Sequence, residues 1–117
     1  ELHLAMQSGD DEILKKMNRG YTVEYFKDRI AKIRSLIPAA RITSDMLVGF
    51  PGETEGQFNN SLKMTEELKF AAVNMFAYSA RPETAAGKME GQLPEEVKYA
   101  RLQKMIETVR VMVRVDK

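Results

Sequence analysis

Residues 41–54 read Arg-Ile-Thr-Ser-Asp-Met-Leu-Val-Gly-Phe-Pro-Gly-Glu-Thr, and this stretch decides the fold. From Arg41 to Val48 the run is rich in β-branched and apolar residues, as a buried strand requires. Gly49-Phe50-Pro51-Gly52 then breaks it with a tight turn. Thr54 and Gln57 have capping-box spacing, the hydroxyl serving one orphan N–H and the amide reaching back to another. Phe58, Leu62 and Leu68 give the following helix its apolar face. Strand, turn and helix make one βα unit.

The same alternation extends in both directions. Upstream, Leu2 to Met6 reads as a buried strand and Gln7-Ser8-Gly9 as a turn. Asp10, Asp11 and Glu12 place negative charge at a helix start, Ile13, Leu14 and Met17 form its apolar face, and Gly20 is expected as its left-handed cap. Thr22 caps a second helix, on which Phe26, Ile30, Ile33 and Ile37 form one core-facing stripe before Pro38 stops it. Downstream, Val73 to Ser79 reads as a third strand, and Arg81-Pro82 with Gly87 to Gly91 as a surface loop. Pro94 opens the last helix, striped by Leu102, Met105, Ile106, Val109, Met112 and Val113. Three strands separated by helices predict parallel βα units in an α/β fold.

Composition narrows the function. The chain has 117 residues, enough to bury roughly two-thirds of its unfolded surface. No apolar run approaches the ~18–20 residues that cross a bilayer. Eighteen basic against seventeen acidic residues leave +1, so net charge gives no argument for nucleic acid as a partner. There is no cysteine, which excludes disulfides, thiolate catalysis and cysteine-held metal from these residues.

In parallel α/β folds ligands bind beyond the carboxyl ends of the strands. Alternation puts His3, Ala5 and Gln7 on one face, Thr43, Asp45 and Leu47 on another strand's face, and Asn74, Phe76 and Tyr78 on the third's. Gln7, Asp45 and Asn74 are then expected to share an interior. A competing reading leaves Asp45 capping a loop and Gln7 tying two strands together. His3 reads as a core histidine rather than a ligand or base. The glycines of the turn admit close backbone approach, but the Gly-Lys-Ser/Thr ending of a phosphate loop is absent. No serine has a matching histidine, and no residue set has metal-ligand spacing, so neither catalytic nor metal-binding residues are assigned.

Four strings occur in order: Leu4-Ala5-Met6-Gln7-Ser8-Gly9, Leu14-Lys15-Lys16-Met17-Asn18-Arg19, residues 43–54 quoted above, and Tyr78-Ser79-Ala80-Arg81-Pro82. Together they resemble the methylthiotransferase family of radical S-adenosylmethionine (SAM) enzymes. The Met-Asn-Arg-Gly-Tyr-Thr run is most similar to the tRNA 2-methylthioadenosine synthases. The resemblance implies a partial TIM-like (β/α) barrel of which residues 1–117 are three parallel βα units, the C-terminal half. It also implies a cytoplasmic parent enzyme with a 4Fe-4S cluster that cleaves SAM to a deoxyadenosyl radical, and a second cluster involved in sulfur insertion. The product is a methylthio group on a modified adenosine beside the tRNA anticodon.

Carried over by position, Gln7 and Asp45 match residues that bond the ribose hydroxyls of SAM, and Arg19 matches the partner of its methionyl carboxylate. Gly49 and its turn match backbone lying against the adenine, and Ala77 a backbone contact on the next strand. These residues position a cofactor, and the cofactor carries the hard chemistry. Ala5, Asp10 and Glu83 depart from the usual Pro, Ser and Gly of the pattern. With no cluster cysteines the chain is expected to be an inactive fragment, with its tRNA contacts elsewhere and its open strand edges prone to self-association. The alternatives are methylthiolation of a ribosomal protein or another tRNA adenosine, and a non-catalytic βα module that binds a nucleotide or a partner.

Overall fold

The structure, a computed structural model, describes residues 2–78 and 91–115, with side chains as far as Val111. The elements run β1 (Leu2–His3), α1 (Asp11–Lys16), α2 (Val23–Leu36), β2 (Ile42–Val48), α3 (Glu55–Leu68), β3 (Ala72–Ala77) and α4 (Glu95–Val115). The strands form one open sheet in the order β1-β2-β3, every pair parallel, as in half of a (β/α) barrel. Expectations for Ser79, Arg81-Pro82, Gly87 and the side chains of Met112 and Val113 lie outside the described residues.

β2 is the central strand, and its alternation is strict. Ile42, Ser44, Met46 and Val48 are buried, whereas Thr43, Asp45 and Leu47 are half-buried. The helices cover the first face, where Met46 joins Phe26, Ile30, Phe58, Phe70 and Met105 in the core. Each such side chain contributes roughly 1.5–3 kcal/mol on burial. The second face stays open, with Asn74 and Phe76 exposed beside it.

The capping box of α3 forms as its spacing requires. Gln57 N–H donates to Thr54 Oγ1 at 3.1 Å, and Thr54 N–H to Gln57 Oε1 at 2.9 Å. Thr22 likewise caps α2 by accepting from Tyr25 N–H. α4 begins one residue after Pro94, whose carbonyl accepts from Lys98 N–H.

Four local expectations are corrected. The left-handed position after α1 is Asn18 (φ 60°), whose short polar side chain tolerates it, and not Gly20. Ile37 lies beyond the last turn of α2 as its C-cap and is 53% exposed, so the core stripe stops short of it. His3 is no core histidine; its side chain is 44% exposed on the open face. The ladder of β1 is regular only to Leu4, not to Met6. Leu2 and Leu4 N–H groups bond Arg41 and Thr43 carbonyls, but the Asp45 carbonyl accepts from Gln7 rather than Met6. One extra residue is therefore bulged out of the first strand.

Candidate functional site

The bulge shapes the site. Met6 N–H turns to Ser44 Oγ at 3.1 Å, and Ser8 N–H bonds the Met6 carbonyl at 2.9 Å across Gln7. Gln7 has φ 71°, so it sits at the centre of a γ-turn of the rarer, strained hand. Its N–H donates to the Asp45 carbonyl and its own carbonyl accepts from Leu47 N–H, at 2.8 and 2.9 Å. Gln7 and Asp45 are thus brought together by backbone, and the alternation that predicted their meeting does not survive the bulge. Strain held by surrounding bonds is a feature that functional positions favour.

Asp45 lies on the open face with both carboxylate oxygens engaged. His3 Nε2 is 3.1 Å from Oδ2, and Asn74 Nδ2 donates to Oδ1 at 3.1 Å. His3 Nδ1 is 2.7 Å from Thr43 Oγ1. A carboxylate only accepts, so Nε2 carries hydrogen, and in the neutral ring Thr43 donates to Nδ1. A groove of about 420 Å³ runs beside this group, lined by His3, Arg41, Thr43, Ala72 and Asn74. Asp45 and Asn74 do share a face, and they bond directly across it; the bonds of His3 and Thr43 to this group escaped the sequence reading.

Ala77 ends β3 opposite Val48, and Tyr78 N–H bonds the Val48 carbonyl at 2.8 Å, which sets both beside the Gly49 turn. Tyr78 does not continue the face of Asn74 and Phe76. Its ring meets Phe50 edge-on at 5.6 Å and lies 5.7 Å from Lys98 Nζ. Arg19 is exposed in the loop after α1 and joins the group through Tyr21. Its Nε donates to Tyr21 Oη at 3.2 Å, and that hydroxyl reaches the Ala5 and Met6 carbonyls at 2.8 and 2.9 Å. Gly49 and Ala77 therefore stand at the carboxyl end of β2, Asp45 lies at the middle of the strand with Gln7 bonded beside it, and Arg19 stands at the near edge of the bulge.

The turn itself is clamped by α4. Gly49 has φ 76°, and a Cβ there would meet Lys98 Cγ at 2.5 Å. Its missing side chain thus makes room for the Lys98 stem. Gly49 N–H donates to Glu53 Oε1 at 2.9 Å, and Arg101 Nη1 donates both to that oxygen and to the Glu53 carbonyl, at 2.9 and 2.8 Å. The Glu53 side chain is fully buried, and its Oε2 has no hydrogen-bond partner. Burial pushes its carboxyl above the ordinary value of 4.5, against the opposing pull of Gly49 N–H and Arg101.

Neither Lys98 nor Arg101 was singled out from sequence. The available signal was spacing: Lys98, Leu102, Met105 and Val109 fall at intervals of four, three and four, so Lys98 occupies a position on the apolar stripe. Lys98 is 3% exposed, its ammonium reaching Glu95 at 2.8 Å.

Among the described residues, no helix is long and apolar enough to cross a membrane. A family model described as the Radical SAM superfamily matches residues 1–65, more than half of the chain. The match spans β1 through most of α3 and so includes Gln7, Arg19, Asp45 and the Gly49 turn. An open parallel sheet carrying its polar residues on the uncovered face, together with that match, establishes that this chain belongs to the Radical SAM superfamily.

Proposed function

We propose that the chain forms the SAM-holding part of a methylthiotransferase that modifies an adenosine beside the tRNA anticodon. The observation that carries the cofactor half of this reading is the position of Asp45. Its carboxylate lies on the uncovered face of β2, four residues before the Gly49 turn and bonded through its carbonyl to Gln7. The substrate half rests on the similarity of residues 17–22 and 43–54 to that enzyme class.

The donor set fits SAM. Asp45 accepts from hydroxyls, and the Arg19 guanidinium has nitrogens beyond Nε for a carboxylate, whereas the Gly49 N–H is already given to Glu53. When bound, SAM supplies the radical chemistry of the superfamily; these residues bind and orient it. An iron–sulfur cluster does not fit this chain's own residues. There is no cysteine, and among the described residues no group of three His, Asp or Glu is placed to hold a metal.

Calorimetric titration of the chain with SAM, 5′-methylthioadenosine and ATP tests the cofactor half. Binding of the first two is expected, weakly and without ATP. Binding of ATP with no response to SAM overturns the reading in favour of a general nucleotide-binding module. For the substrate half, the reading frame carrying this chain is expressed in cells lacking tRNA methylthiolation. Methylthioadenosine in tRNA hydrolysates is the expected product; the group on a ribosomal protein instead overturns the tRNA assignment.

A further inference from the structure

We propose that His3 and Asn74 are positioning residues that aim the Asp45 carboxylate at a vicinal diol, the ribose of an adenosine-containing ligand. The inference rests on the reading of Asp45 as a SAM contact and adds the residues that make it selective. An ionised carboxylate offers about four acceptor sites, two on each oxygen. His3 Nε2 takes one on Oδ2 and Asn74 Nδ2 one on Oδ1, at 3.1 Å each.

One acceptor site is left on each oxygen, and the side chain keeps 23% of its surface exposed on the open face. Two acceptors side by side match the two O–H donors of a cis-diol. A single hydroxyl uses only one of them.

The arrangement is fixed from both neighbouring strands. Thr43 Oγ1 holds His3 Nδ1 at 2.7 Å, so the ring cannot rotate without breaking two bonds. Asn74 is the register partner of Asp45 across β2 and β3. His3 stands on β1, two register steps before Asp45. With donors on both flanks, the carboxylate plane has one orientation rather than several, and less entropy is lost when a diol binds.

The test compares 5′-methylthioadenosine with its 2′-deoxy analogue, by titration into the full chain. Wild type is expected to favour the ribo ligand about tenfold, the scale of one hydrogen bond to a charged group. His3→Phe keeps a ring but removes both bonds, and is expected to lower that ratio to about twofold. His3→Gln restores a donor near Nε2 and is expected to recover most of the ratio. Asn74→Ala is expected to act like His3→Phe.

Equal loss of affinity for both ligands in His3→Phe and Asn74→Ala overturns the proposal, because a merely structural role weakens them alike. An unchanged ratio in both variants overturns it too. Binding by wild type with no preference for the ribo ligand removes Asp45 as a ribose contact, and the cofactor reading fails instead. Circular dichroism and the thermal midpoint of each variant show whether the fold is kept.

Discussion

Arg101 Nη1 donates to both the side chain and the backbone carbonyl of Glu53, at 2.9 and 2.8 Å, across 48 residues of sequence. The pair ties α4 to the turn that ends β2, and Gly49 N–H shares the same carboxylate oxygen. Removing one member of a buried pair costs more than the pair is worth, because the survivor stays desolvated. Glu53→Ala leaves the guanidinium, 13% exposed, without its countercharge. We expect a loss of about 3 kcal/mol, the lower end for a buried pair. Arg101→Met is expected to cost less, since a carboxyl neutralises by taking a proton and a guanidinium cannot. Urea unfolding of both variants decides the order; equal costs at acidic pH count against this account.

The same carboxyl gives stability a pH dependence of definite sign. Its folded value is raised above 4.5 by burial, so the native state binds the proton more readily than the unfolded chain. The stabilisation from this group is full below the unfolded value and is lost as pH rises through the folded one. Glu53→Gln removes the ionisation while keeping an acceptor for Gly49 and Arg101. The variant is therefore expected to gain on wild type as pH increases from 4.5 towards neutrality, read as the difference in unfolding free energy. A variant that instead falls behind with rising pH means that Arg101 outweighs burial.

Gly49 is constrained twice, by φ 76° and by the Lys98 stem at 2.5 Å from a would-be Cβ. Backbone strain of this kind costs about 1–3 kcal/mol, and the overlap adds to it. Gly49→Ala is expected to destabilise by at least that much in wild type and by less in a Lys98→Ala background, where the 2.5 Å overlap with Cγ is gone and only a 3.2 Å contact with Cβ remains. A double-mutant cycle isolates the difference. Strict additivity rules out Lys98 as the cause and leaves the backbone angle alone.

Much of this architecture is written in local pattern, and the remainder is not. β2 and its turn are legible because a β-branched and apolar run, two glycines and a capping box each depend on neighbours in sequence. Asp45 with Asn74 follows from strand alternation once the strands pair in register. The bulge at Gln7 is illegible, because it arises from Ser44 Oγ taking the Met6 N–H on another strand. His3 is misjudged for a similar reason: its partners Thr43 and Asp45 lie 40 and 42 residues away and keep it at the surface. Lys98 and Arg101 gain a role only from α4 lying against the Gly49 turn, a contact between segments 48 or more residues apart.

Gln7 separates stability from binding. A left-handed backbone angle costs a non-glycine residue roughly 1–2 kcal/mol, whereas glycine adopts it freely. Gln7→Gly is expected to leave stability unchanged or raise it, the relieved strain offsetting glycine's greater entropy loss. Affinity for 5′-methylthioadenosine is expected to fall in the same variant, because the side chain is lost. Measured together, a lower thermal midpoint with unaltered affinity contradicts both halves.

The open sheet makes a last expectation concrete. Among the described residues β1 and β3 each pair on one side only, so both present unpaired edge groups. Such edges template further strands unless charged or covered. The open face adds Phe76, 52% exposed, next to Leu47 in register. Self-association is therefore expected, with mass rising with concentration in light scattering. Phe76→Lys places a charge on that face and is expected to shift the chain towards monomer without lowering its unfolding midpoint by more than a surface change does, about 0.5 kcal/mol in free energy. Wild type that stays monomeric at every concentration removes the expectation. Assembly unaffected by Phe76→Lys leaves the strand edges, rather than the face, as the surface that associates.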